Sequence, residues 1–150
     1  MTFIFPIESG HIVVFRRSVG ESTGVDFSPQ GGVAPPTFVA AGAHFMPDYP
    51  LRPQPSRPWF GSGRGPGTSE DGQGNGMQAE QHYRYFGPIR AGDVLVGNQR
   101  PGRSWSKDGR SGNLRFTEEI TEYRTFAGEL TVESRLVRVR LPVTRMGGGA

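Results

Sequence analysis

The chain has 150 residues, the size of one domain, and 34% of them are hydrophobic, with 23 Gly and 13 Pro. Lys and Arg number 17 against 14 Asp and Glu, a net charge of +3, too small and too scattered to specify nucleic acid. No cysteine is present, which excludes disulfides and thiolate metal sites. No stretch nears the ~18 apolar residues of a membrane span, and Met1 to Pro6 lacks the basic start and apolar run of a signal peptide, so a cytoplasmic protein without membrane contact is expected. Lys107 is the sole lysine. The other basic residues are arginines, which favour planar anions such as phosphate and carboxylate. With so few apolar residues, burial is expected to be completed by pairing with another subunit.

Phe3–Ile7 reads as a short strand of aromatic and β-branched residues. Ser9 is placed to cap a helix starting at Gly10, whose apolar face is Ile12, Val13, Phe15 and Val19, and Gly20 ends it. Residues 21–30 form a polar loop. The stretch from Gly31 to Ala41 then passes from a flexible Gly-Gly pair, through Pro35 and Pro36, into Phe38-Val39-Ala40-Ala41-Gly42-Ala43. Prolines suit the first turn of a helix, and a helix apolar all round is a buried one. The spacing therefore predicts a central helix over about Pro36–Phe45.

Residues 47–76 are a Pro/Gly-rich insertion, low in complexity over its second half. Four strand candidates follow. The first is Gln78–Phe86, and a turn over Gly87–Asp93 comes after it. The second is Val94–Arg100, interrupted at Pro101-Gly102 and resuming towards Trp105. A tight connection over Lys107–Asn113 leads to the third, Leu114–Arg124. The fourth, Glu129–Leu141, has one slip of register near Ser134. Residues 146–150 read as a flexible tail. Strand, helix, helix and then a run of strands means α+β, with helix packed on one face of an antiparallel sheet.

The order and spacing of these pieces resemble the MaoC-like hot-dog hydratase/dehydratase family, in particular its FAS1-like dehydratase group. Glu8 to Gly20 is similar to the family's first helix, and Gly32-Val33-Ala34-Pro35-Pro36-Thr37-Phe38 to the lead-in of its central helix. Glu80 to Asp93 is similar to a strand and turn, and Lys107 to Gly112 to its hairpin. The resemblance implies one hot-dog domain over residues 1–150, a sheet wrapped around the central helix. It implies hydration of trans-2-enoyl thioesters of coenzyme A or acyl carrier protein, or the reverse dehydration, in fatty-acid or steroid side-chain metabolism. Two hot dogs pack side by side with the acyl tunnel between them, and no cofactor is implied.

Catalytic members of the family carry an Asp, then Asn-Pro, then a His five residues after the Asp, which activate water as acid and base. In this chain the loop is shorter than usual, Glu21 stands at the Asp position, Asp26 at the His position, and there is no Asn-Pro. A catalytic pair is therefore not expected to be complete; Glu21 and His44 are the remaining candidates. The resemblance then implies a heterodimer, or a dimer of heterodimers, whose partner is a catalytic MaoC-type subunit. It also places Gly32, Val33 and Ala34 where backbone N–H groups polarise a thioester carbonyl. Pro35, Thr37 and Phe38 then line the tunnel, and Arg90 and Arg110 are candidates for the phosphates of coenzyme A. A self-sufficient hydratase using Glu21, and a non-catalytic acyl-thioester-binding module, are the alternatives. Three isolated histidines, His11, His44 and His82, have no metal-ligand spacing.

Overall fold

The computed structural model describes residues 1–21, 32–47, 49, 52–53, 55–56, 76–110 and 112–140. Strands β1 (Thr2–Pro6), β2 (Gly76–Tyr85), β3 (Val94–Gly109), β4 (Gly112–Arg124) and β5 (Leu130–Arg140) form one antiparallel sheet in the order β1-β3-β4-β5-β2. Helix α1 spans Ser9–Ser18, and the central helix spans Phe38–Phe45. The expected α+β architecture is the one observed. Most of the 47–76 insertion, loop residues 22–31 with Asp26, and the 146–150 tail lie outside the described residues.

The described residues group into two compact units. The first lies within Met1–Tyr49, His82–Arg100 and Ile120–Arg135, the second within Pro50–Gln81, Pro101–Glu119 and Leu136–Ala150.

The first unit holds the main core. Alternation in β1 and just beyond it buries Phe3, Phe5 and Ile7, with β1 antiparallel to β3 in the register Ile4↔Val96. Leu95, Tyr123 and Val132 join them from β3, β4 and β5. Helix α1 adds Ile12, but its N-cap is Glu8 without a side-chain bond, not Ser9; Ser9 is already inside the first turn. The other end closes as a Schellman motif. The Glu21 N–H donates to the Arg16 carbonyl at 3.0 Å and the Gly20 N–H to the Arg17 carbonyl at 3.2 Å. Gly20 sits at φ 81°, where a side chain would strain the backbone.

The central helix starts two residues later than expected and is a 3-10 helix. The Phe38 N–H reaches the Pro35 carbonyl and the Ala40 N–H reaches the Thr37 carbonyl, both three residues back. The Val39 carbonyl accepts a bond from the buried Tyr123 hydroxyl at 3.1 Å. Phe38 stacks on Phe5 with ring centroids 5.7 Å apart and meets Phe15 edge-on at 5.5 Å.

In the second unit β3 runs unbroken through Pro101. The pairing of β1 with β3 ends at Thr2↔Asn98, so a missing N–H at Pro101 costs β1 no ladder bond. Three cross-strand contacts set the β3–β4 register. Trp105 stacks on Phe116 at 5.2 Å and 4°, the Asn113 amide donates to Asp108 at 2.9 Å, and Arg103 grips the buried Glu118. That grip has three bonds: backbone N–H, Nε and one terminal nitrogen of Arg103, at 3.0, 3.2 and 3.0 Å. The bond to Glu118 also raises the Arg103 pKa. R103A leaves the Glu118 carboxylate buried with one of those donors, and is expected to lower the midpoint of urea unfolding. An R103A/E118Q cycle that shows no coupling would overturn this assignment.

The buried positions of β4 are even-numbered at Glu118 and odd at Thr121 and Tyr123; those of β5 switch from Val132 to Val137 and Val139. In β5 the adjacent Thr131 and Val132 are both buried.

Candidate functional site

The lead-in to the central helix, Gly32 to Thr37, is tied at both flanks. Pro35 and Pro36 have no N–H to contribute, so neighbouring residues make the contacts. Val33 forms an antiparallel bridge with Arg90, and the Ala34 N–H donates to the Ile89 carbonyl at 2.8 Å. Arg90 belongs to a braced turn: its N–H donates to the Asp93 carboxylate at 2.7 Å, and Gly92 and Asp93 exchange bonds with Ile7 at 2.8 and 2.9 Å. On the other side Arg16, in the last turn of α1, donates to the Val33 carbonyl at 2.8 Å. Its Nε lies 3.5 Å from the Glu21 carboxylate. That approach is a charge contact without a hydrogen bond, because the buried Nε has no hydrogen-bond partner among the described residues.

The structure therefore brings Glu21, Gly32, Val33, Ala34 and Arg90 around Arg16 and the helix lead-in. Glu21, Gly32, Val33, Thr37 and Arg90 are exposed, Ala34 and Pro35 half-buried. The Ala34 amide, expected as a thioester donor, is engaged by Ile89. Phe38 is a core residue in the first unit. His44 is exposed and meets the Tyr49 ring edge-on at 5.2 Å, so Glu21 and His44 face different neighbours. Arg110 is exposed at the β3–β4 turn of the second unit. Arg100 lies 3.8 Å from Glu122, and Arg103 is bonded to Glu118. Among the described residues no group of three or more His, Asp or Glu is placed to hold a metal ion.

Beside the central helix, Tyr83 and Tyr85 lie with ring centroids 6.3 Å apart, and both act electrostatically on Tyr123. Burial raises all three phenols above the ordinary 10.0, and with the added effect of Tyr83 it pushes Tyr85 to about 12. The folded state then holds protons that the unfolded chain has released, so stability is complete below pH 10 and is lost as pH rises through about 12. Melting temperature followed from pH 9 upward is expected to fall, and to fall less steeply in Y123F. Equal slopes in the two proteins would remove Tyr123 from the account.

The family model for the FAS1-like dehydratase domain region matches residues 2–134. The chain belongs to the FAS1-like dehydratase domain family. Solved structures with the same architecture include the HadBC 3R-hydroxyacyl-ACP dehydratase complex of Mycobacterium tuberculosis, at 19% identity and TM-score 0.56, covering 93% of this chain and 94% of that one. The ChsH1–ChsH2 complex of the same organism matches at 14% identity and TM-score 0.65, over 94% and 87%. The R-hydratase PhaJ1 of Pseudomonas aeruginosa matches at 12% identity and TM-score 0.54, over 95% and 79%. At these identities the likenesses establish the hot-dog fold. No match was found among curated protein sequences. Among the described residues no helix is long and apolar enough to cross a membrane.

For this FAS1-like dehydratase domain, reasoning from residue types missed Arg16. The signal was present: with Gly20 as the residue after the cap, Arg16 and Glu21 are the two positions that a Schellman motif brings together.

Proposed function

We propose that this chain is one subunit of a heteromeric (R)-specific enoyl-thioester hydratase, equally a 3-hydroxyacyl-thioester dehydratase, acting on coenzyme A or acyl-carrier-protein esters. A catalytic hot-dog partner supplies the Asp and His, and this chain completes the acyl tunnel with the Gly32–Phe38 lead-in. The observation that carries the reading is at Glu21. The carboxylate standing at the family's Asp position faces the Arg16 Nε at 3.5 Å, while His44, the remaining candidate, meets the Tyr49 ring, so the two are not brought together as an acid–base pair.

The partner reading has separate support. β2 is an edge strand, and edge strands offer unpaired backbone groups to another chain. Tyr85 and the adjoining Phe86 are exposed there, with the Arg84 guanidinium 4.9 Å over the Phe86 ring. Two of the similar structures are named as complexes of two different chains. The test is purification of the chain alone and together with a hot-dog subunit bearing an intact Asp-Asn-Pro-x-x-His, followed by assay of crotonyl coenzyme A hydration. Ordinary hydratase rates from the lone chain would overturn the proposal.

A further inference from the structure

Two arginines, Arg16 and Arg17, occupy the last turn of α1. Both add positive charge near the helix C-terminus, where it is favourable. Arg16 turns back over the helix end. Its guanidinium makes the 2.8 Å bond to the Val33 carbonyl, lies against Gly32, where a Cβ would be 3.6 Å from one terminal nitrogen, and approaches Glu21 with Nε. The side chain is three-quarters covered, while its ion-pair partner is half exposed. Among the described residues the buried Nε has no hydrogen bond, which is destabilising, so this rotamer is not what Arg16 would adopt for the Glu21 pair alone. The contact with good geometry is the one to Val33.

We infer that Arg16 is a positioning residue for the Gly32–Thr37 lead-in: it sets the backbone at Val33 and, through it, the seat of the thioester. The inference rests on the function proposed above. The Val33 bridge to Arg90 and the Ala34 bond to Ile89 hold the segment from the turn side; Arg16 is the hold from the helix side. A lysine at this place keeps the charge at the helix end but is a single point donor, without the planar fork that reaches Val33 while its Nε faces Glu21.

The experiment is steady-state hydration by the complete complex carrying R16A, R16K or R17A. A lost charge-assisted bond at the seat is expected to raise KM about tenfold in R16A, with kcat within about twofold. R16K is expected to behave like R16A, and R17A like the parent. Full recovery in R16K would mean that only charge at the helix end matters, and would overturn the inference. An unchanged KM in R16A would overturn it too, as would a collapse of kcat together with loss of the partner. If R16A does not fold, R16K decides alone. A parent complex without hydratase activity would overturn the proposed function and the inference with it; an active parent with a silent R16K overturns the inference alone.

Discussion

Alone, the chain is expected to hydrate a short trans-2-enoyl coenzyme A roughly 10²–10⁴-fold more slowly than its complex with a catalytic hot-dog subunit, the span that a positioned acid–base pair contributes. The magnitude follows from what this chain's own groups do. Glu21 faces Arg16 at 3.5 Å and His44 rests against Tyr49, so the two do not meet as an acid–base pair. The Ala34 amide, which would have polarised a carbonyl, is bonded to Ile89 at 2.8 Å. In the complex, E21Q is expected to leave kcat within about twofold, since Gln at 21 keeps the backbone bond that closes α1 and removes only a surface charge contact worth little. Alanine at the partner's Asp or His is expected to abolish nearly all of the gain. The opposite pattern, with E21Q costing orders of magnitude and the partner's residues silent, would make this chain a self-sufficient hydratase.

How much of this was legible in the residues divides along physical lines. The alternation in Phe3-Ile4-Phe5 and the apolar run after Thr37 announce a sheet on a buried helix, because burial acts through side-chain period. The winding of the central helix was not legible. Its bonds run three residues back, as from the Phe38 N–H to the Pro35 carbonyl, and an apolar run does not distinguish that spacing from four. The strand through Pro101 was misread because propriety of a proline depends on which edge is paired, and that is a fact of the sheet, not of the dipeptide. At the site, the missing Asp-Asn-Pro-x-x-His was readable directly. The engagement of Ala34 by Ile89 and of Val33 by Arg16 was not, since nothing local marks a backbone group as taken by a distant partner.

The Gly42 position turns on a contest between two opposing terms. On helix propensity alone, Ala in place of Gly would stabilise by up to about 1 kcal/mol. A Cβ there, however, would lie 2.9 Å from the Tyr123 oxygen, 3.1 Å from its Cε1 and 3.2 Å from Phe5 Cδ1. Neither neighbour has room to retreat: Phe5 is 0% exposed and Tyr123 3%, and the Tyr123 hydroxyl is anchored to Val39. Overpacking of this kind costs about 1–3 kcal/mol, and losing the buried hydroxyl bond adds on the order of 1 kcal/mol. The packing cost wins. Gly42→Ala is expected to destabilise, and Gly42→Val to do so by about 2–4 kcal/mol, lowering the melting temperature by roughly 5–15 °C in a chain of this size. The cause is separable from a general loss of core. Removing the hydroxyl with Y123F takes away the nearest clash, so G42A should cost less in the Y123F background than in the parent, a favourable coupling between neighbours. If G42A melts with the parent, the helix yields at Gly42 and the close approach to Tyr123 does not hold it; if the two substitutions simply add, the conflict lies with Phe5 instead.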